Sequence, residues 1–83
     1  MVMDICNVIG KNVATIRHNN GWSQEELAFR SGLHRTYISG IERGHRNPTL
    51  TVLQRLSEAL NVEASDLVTQ QEQVTKTLSP QTV

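Results

Sequence analysis

Residues 21–44 read GWSQEELAFRSGLHRTYISGIERG, and this stretch carries the strongest local signals in the chain. Within it, Ser23 and Glu26 have the spacing of a capping box, in which each side chain accepts a hydrogen bond from the other residue's backbone N–H. A helix should therefore begin at Gln24. It should end near Ser31, because the glycine that follows tolerates the positive φ of a tight turn.

A second short helix should follow after a turn of about three residues that contains Gly32. The apolar spacing predicts that this helix runs from about His34 to Arg43, and Gly44 is suited to end it. Two short helices joined by a glycine turn fit a helix-turn-helix, although a generic helical hairpin has the same local features.

The outward face of this second helix carries side chains of the kind that read base edges. Its members are Arg35, Thr36 and Ser39, opposite the inward-facing Ile38 and Ile41. An arginine donates two parallel hydrogen bonds to guanine, and a threonine offers a hydroxyl and a methyl group. The early part of the helix contains no acid, whereas an ordinary surface helix favours Glu–Lys pairs. The pattern indicates contact with DNA bases.

Gly40 is an unusual residue for the interior of this helix. A glycine there costs about 1 kcal/mol relative to alanine. Such a residue suggests close packing or the close approach of a ligand, and a tolerated accident is the remaining interpretation.

The charges are unevenly distributed along the chain. Eight basic and eight acidic residues give a formal net charge of zero. Residues 27–49 hold four arginines and one acid, or +3, while residues 1–26 carry −1 and residues 50–83 carry −2. A local excess of arginine predicts a surface that faces an anion, and a solvated face with some ion pairs is the alternative.

Further polar residues are candidates for contacts with phosphates beside the groove. At the end of the second helix and in the next loop stand Arg43, His45, Arg46 and Asn47. Gln24 begins the preceding helix, where free backbone amides also attract phosphate. Simple solubility is the alternative role of Arg43 and Arg46.

The flanking sequence predicts three more helices. The first, capped by Asp4 or Asn7 and ended by the Asn-Asn-Gly of 19–21, has the apolar stripe Ile5, Ile9, Val13 and Ile16. The fourth, capped by Thr49 and ended by Asn61, has the apolar residues Leu50, Leu53, Leu56 and Leu60. A short fifth helix should cover 64–69. We expect one domain over residues 1–69 and a polar, mostly disordered tail over 70–83.

Length and composition exclude several classes of protein. A chain of 83 residues rarely builds an enzyme pocket, so a binding module without enzymatic activity is expected. We find no signal peptide and no apolar run long enough to span a membrane, and the lone Cys6 fits a reducing cytoplasm as a small buried residue. The spacing of His18, His34 and His45 does not fit a metal site, so no metal or cofactor is expected.

Three stretches, GWSQEELA, SGLHRTYISGIERG and RNPTL, resemble the XRE family of lambda-repressor-like helix-turn-helix domains over about residues 9–68. The segment RTYISGIERG and the small size are most similar to the controller proteins of bacterial restriction–modification systems, although phage repressors share parts of the motif. The resemblance implies an all-α, five-helix domain that binds double-stranded DNA as a homodimer on a near-palindromic operator.

The resemblance also implies roles for individual residues. By this resemblance, the base contacts are expected from Arg35, Thr36 and Ser39. Supporting DNA contacts are expected from Gln24, Tyr37, Arg43 and Arg46. The resemblance implies an ion pair between Arg17 and Glu42 as well. It would neutralise Glu42, the one acid of residues 27–49, so that this carboxylate would not repel phosphate. His34 departs from the residue expected in close relatives, so its role as a phosphate contact or as a helix start stays open.

A dimer is expected because one reading helix covers only about four or five base pairs. The last two helices contain more apolar positions than a single core needs. We predict that some of Val52, Ala59, Leu67 and Val68 form the dimer contact. The alternative is that all four belong to the core of one protomer.

The controller resemblance implies a regulator that activates its own gene and an endonuclease gene at low concentration and represses them at high concentration. Activation requires a contact with RNA polymerase, for which Glu25 is our candidate; a favourable charge at a helix start is its alternative role. An antitoxin that silences a toxin protein, or a phage-type repressor with the same helix-turn-helix domain, is the alternative function. A helical interaction module without DNA binding is the third, and the face formed by Arg35, Thr36 and Ser39 argues against it.

Overall fold

The computed structural model describes residues 4–70, which form five α-helices and no strand. The helices are α1 (Ile5–Asn19), α2 (Gln24–Ser31), α3 (Arg35–Glu42), α4 (Leu50–Leu60) and α5 (Ala64–Val68). The all-α, five-helix prediction is confirmed. The predicted tail lies, from residue 71 onward, outside the described residues.

Side-chain caps start three of the helices. The Asp4 carboxylate accepts a hydrogen bond from the Cys6 N–H at 3.0 Å, so Asp4 rather than Asn7 caps α1. The Thr49 hydroxyl caps α4 by accepting from the Val52 N–H at 3.1 Å. These bonds satisfy backbone donors that have no partner within the helix.

The capping box predicted at the start of α2 is only half present. The Ser23 hydroxyl accepts from the Glu26 N–H at 3.0 Å. The Glu26 carboxylate, however, accepts from Arg30 Nε at 2.7 Å instead of reaching back to Ser23. The predicted return bond is therefore wrong, because a cation stands one helical turn ahead of this carboxylate.

Residues in the left-handed backbone region end two helices, as the sequence predicts. Gly32 closes α2 with a φ of 75°, and Asn61 closes α4 with a φ of 60°. The observed α3 is one residue shorter at each end than predicted, with His34 and Arg43 as its flanking caps. Helix α5 likewise ends one residue early, at Val68.

The core lies where α1 packs against α3 and α5 while α2 packs against α3 and α4. Its fully buried side chains are Val13, Leu27, Ile38, Ile41, Leu56 and Leu67. Ile5, the first residue of the predicted apolar stripe of α1, is 49% exposed, so the buried part of the stripe begins at Ile9. It stands at the first position of α1, one turn before the buried Ile9. Cys6 is half-buried rather than buried.

The four residues predicted for the dimer contact have different environments. Leu67 is 0% exposed within one protomer, so its prediction as a dimer contact is wrong: the apolar surface of this side chain is already covered by the core. Val52 and Ala59 are half-buried beside the core, and Val68 is 37% exposed. These three remain predicted contacts.

A buried side chain of α1 holds the end of α5. The Asn12 amide nitrogen lies 3.3, 3.0 and 2.9 Å from the carbonyl oxygens of Asp66, Leu67 and Thr69. These carbonyls belong to the last turn of α5 and its cap, where no intrahelical donor is available. Asn12 therefore fixes α5 against α1.

Candidate nucleic-acid interface

A turn over residues 32–34 joins α2 to α3. The Gly32 and Leu33 N–H groups both donate to the Ala28 carbonyl, at 2.9 and 3.2 Å, which closes the last turn of α2. Leu27 and Ile38 are fully buried where the two helices pack, and Ala28 is also buried. This is the arrangement of a helix-turn-helix, with α3 in the position of the helix that enters a major groove.

The side chains predicted for base contacts lie on one face of α3. Arg35 and Thr36 are exposed and Ser39 is half-buried, while Ile38 and Ile41 are fully buried on the opposite face. The helical period predicted this division correctly. The outward face therefore presents a guanidinium and two hydroxyl groups, which match the donors and acceptors of base edges.

Arg43 joins this face, although sequence reasoning placed it at the helix end as a phosphate contact. Its Nη1 donates to the Ser39 hydroxyl at 2.6 Å. The two residues are four positions apart, so they lie one above the other on the helix surface. Ser39 keeps its hydroxyl hydrogen for another acceptor. The four-residue spacing of Ser39 and Arg43 is the sequence feature from which this hydrogen bond could have been predicted.

The ion pair implied for Arg17 and Glu42 is present. Arg17 Nε donates to Glu42 Oε2 at 2.7 Å and Nη2 donates to Oε1 at 2.9 Å, with side-chain exposures of 8% and 7%. Arg17 Nη1 also donates to the Trp22 carbonyl at 2.8 Å. Glu42, the one acid of residues 27–49, is therefore neutralised by Arg17 of α1.

The titration of Glu42 reflects this environment. Burial alone raises the pKa of a carboxyl group, but hydrogen bonds from Arg17 and Gln24 outweigh burial and hold the pKa of Glu42 below its ordinary value. The hydrogen bond to Glu42 in turn raises the pKa of Arg17. Both groups are charged at neutral pH, so the pair adds no net charge to the interface.

Gln24 takes part in the same network. Its amide nitrogen donates to Glu42 Oε1 at 3.0 Å, and the side chain is half-buried. An amide NH₂ group carries two hydrogens, so one stays available for a phosphate at the start of α2. The contact predicted for Gln24 is thus compatible with its internal bond.

The remaining predicted backbone contacts lie around the ends of α3. His34 is exposed at the N-cap, where its side chain makes no capping hydrogen bond. Beyond the other end, Arg46 and Asn47 are exposed, and the Arg46 guanidinium carbon lies 5.5 Å from the centroid of the half-buried Tyr37 ring. Cationic and polar side chains therefore flank the outward face at both ends.

The outward side of α2 differs from that of α3. Glu25 is exposed, and Phe29, one turn later, is 83% exposed. Arg30 is held by Glu26 and stacks over the Trp22 ring at 4.1 Å. The exposure of Phe29 was not predicted, since a lone aromatic residue in a short helix gives no sign of which way it faces.

Within residues 4–70, no cluster of three or more His, Cys, Asp or Glu side chains is placed to hold a metal ion. None of the helices of that region is long and apolar enough to cross a membrane.

Comparison with known proteins agrees with this geometry. The model of the helix-turn-helix family HTH_3 matches residues 13–67. Control protein C.SmaI of Serratia marcescens is 49% identical over 69 residues, which span 83% of this chain and 82% of that protein. The crystal structure of the controller protein C.AhdI from Aeromonas hydrophila superposes with a TM-score of 0.73 at 42% identity, covering 75% of this chain and 94% of that one.

A third relative was crystallised with DNA. The controller protein C.Esp1396I, as a tetramer on its natural 35 base-pair operator, superposes with a TM-score of 0.70 at 38% identity and covers 76% of this chain and 83% of that one. The predicted similarity to controller proteins is confirmed. The chain belongs to the HTH_3 helix-turn-helix family, and its fold is that of restriction–modification controller proteins.

Proposed function

We propose that this chain is a sequence-specific transcription regulator of the controller type, acting in the cytoplasm on double-stranded DNA. The observation that carries the proposal is the outward face of α3, where Arg35, Thr36, Ser39 and Arg43 stand together. Glu42, the one acid of residues 27–49, is paired with Arg17, so no free carboxylate of that segment stands beside these side chains. Such a face suits the major groove, with Arg35 as the residue that reads guanine.

The supporting contacts would fix the register of the protein on the duplex. His34 and Gln24 stand at the starts of α3 and α2, where backbone amides and a helix dipole favour phosphate. Arg46, Asn47 and Tyr37 flank the other end of α3. Contacts of this kind set position and affinity without carrying sequence information.

The proposed binding unit is a homodimer on a near-palindromic operator. Val68 on α5 is exposed, and Val52 and Ala59 lie half-buried on α4, so these residues supply an apolar surface for a second copy. Burial of such a surface would stabilise so small a fold. The two α3 helices would then enter the major groove about 34 Å apart, one turn of DNA.

The proposed regulation has two stages that follow from mass action. One dimer bound at low concentration would activate transcription, with the exposed Glu25 meeting RNA polymerase. A second dimer bound at higher concentration would cover the promoter. The tetramer of C.Esp1396I on its natural operator supports this proposal, since four copies of that relative occupy one operator.

A footprint titrated on the DNA upstream of the chain's own gene tests the proposal. We expect protection of a near-palindrome first and of an adjacent site at higher concentration, with transcription from a reporter rising and then falling. Binding should weaken steeply with salt, since several phosphates are neutralised. Protection without sequence preference, or no protection at micromolar protein, would contradict the proposal.

A further inference from the structure

Gly40 lies on the outward half of α3 and is nevertheless buried. At 100° per residue, Gly40 lies about 160° around the helix from the fully buried Ile38, with Thr36 on the same side one turn earlier. The side chain that covers it is Arg46. A Cβ atom added at Gly40 would lie 2.7 Å from Arg46 Cγ and 3.3 Å from its Nε. The stem of Arg46 therefore occupies the space that any larger residue at position 40 would fill.

The turn after α3 brings Arg46 back to that place. The His45 N–H donates to the Gly40 carbonyl at 2.9 Å and the Gly44 N–H donates to the Ile41 carbonyl at 3.0 Å. This is the Schellman pattern of bonds, and Gly44 has the required left-handed φ of 76°. The chain reverses at this point, so the next residues run back along the surface of α3.

The far end of the Arg46 side chain is held by an aromatic ring. The guanidinium carbon lies 5.5 Å from the Tyr37 ring centroid, within the range of a cation–π contact. Tyr37 itself packs against the core, so the ring has a fixed support. Neither of the two ion pairs within residues 4–70 involves Arg46, which leaves its charge available to an external anion.

We propose that Gly40 is a positioning residue for the DNA contact of Arg46. Because Gly40 has no side chain, the aliphatic part of Arg46 can lie across α3 at this position. The Tyr37 ring contacts the guanidinium at the other end. The guanidinium is therefore in position before it meets a phosphate. A long, flexible side chain that is ordered in advance loses less freedom on binding. This inference rests on the proposed function and assigns the tight contact at Gly40 a role in it.

A double-mutant cycle on operator DNA tests the inference. Gly40→Ala should still fold, because the new Cβ meets no backbone atom and can be accommodated if the exposed Arg46 side chain moves away, while alanine is the better helix former. Operator affinity should fall about tenfold, and affinity for unrelated DNA should fall to a similar extent. In an Arg46→Ala background, the same Gly40→Ala change should alter affinity less than about twofold.

A measurement without DNA provides the second readout. In the free wild-type protein, NMR should show contacts between the Gly40 Hα protons and the Arg46 side chain, and Gly40→Ala should shift the Arg46 Nε–H signal. Absence of those contacts would overturn the inference, as would a Gly40→Ala effect of equal size with and without Arg46. If the wild type protects its operator while Gly40→Ala binds equally well, only this inference fails; a wild type that binds no operator overturns the proposed function and this inference with it.

Discussion

Arg17 and Glu42 join α1 to the last residue of α3 through two hydrogen bonds, 2.7 Å from Nε to Oε2 and 2.9 Å from Nη2 to Oε1. Both side chains are almost completely removed from solvent. The outward face described above is on α3, so this pair connects the candidate interface to α1. It also neutralises an acid that would otherwise stand near phosphate.

Replacing Glu42 by alanine should destabilise the fold by about 3–5 kcal/mol, because the buried Arg17 charge is left without its partner. Urea unfolding followed by circular dichroism measures the change. Glu58→Ala is the matched control, since Glu58 is exposed on α4 and should change stability by less than about 0.5 kcal/mol. A Glu42→Ala loss no larger than that of the control would refute the role given to the pair.

The same pair predicts how stability depends on pH. The pKa of Glu42 is lower in the folded chain than its ordinary value of 4.5. Its contribution to stability is therefore present above about pH 4.5 and is lost as the pH falls through the lower, folded value. The stability difference between the wild type and Glu42→Gln should be constant near neutral pH and shrink toward pH 3. A difference that stays constant over this whole range would show that Glu42 does not titrate as described.

Arg35→Ala should lower operator affinity by about 1–3 kcal/mol and relax the preference for one base pair in each half-site. The reason is that only the guanidinium of this exposed residue can donate two bonds to guanine at the start of α3. Competition binding with operator variants measures both effects. Arg30→Ala is the control, because Arg30 is held on α2 by Glu26 and Trp22. Unchanged operator affinity in Arg35→Ala would contradict the assignment.

Val68→Asp should dissociate the proposed dimer while the protomer stays folded, because Val68 is exposed in one copy and a charge at an apolar contact is unfavourable. Sedimentation of the free protein measures the change. Phe29→Asp adds the same charge at an exposed apolar residue on α2 and should leave the dimer intact. Persistence of the dimer in Val68→Asp, or a wild type that is only monomeric, would rule out this surface.

Glu25→Ala should abolish activation of transcription while repression at high protein concentration persists. Glu25 is exposed on α2, so its removal leaves the packing of the core unchanged. A reporter assay with titrated protein separates the two stages, and a footprint with the same variant checks that operator occupancy is preserved. Normal activation by Glu25→Ala would remove this residue as the polymerase contact.

Local signals predicted where α1, α2 and α4 begin and end and placed the ends of α3 and α5 to within one residue. Ser23 and Thr49 cap their helices as predicted, and Asn61 ends α4 in the left-handed region. These features depend on neighbours a few residues apart in the chain, which the sequence shows directly. The outward face of α3 followed from helical period in the same way.

Features that depend on how distant segments meet could not be predicted from local pattern, and the pair of Arg17 with Glu42 was expected only because of the family resemblance. Leu67 and Val68 are adjacent apolar residues, yet one is fully buried and the other is partly exposed. Their difference is set by the direction of α5 against α1, which no local pattern encodes. The covering of Gly40 by Arg46 depends likewise on a chain reversal between them.

The Asn12 amide, on α1, helps to fix the position of α5, which is part of the proposed dimer contact. It holds the carbonyl ends of α5, and the proposed joint between two copies includes that helix. In the proposed dimer, the orientation of one protomer relative to the other would then depend in part on this side chain, together with the packing of the buried Leu67. If two copies meet as proposed, a substitution at Asn12 should change the distance between half-sites that the dimer prefers, although Asn12 lies on α1 and away from the outward face of α3.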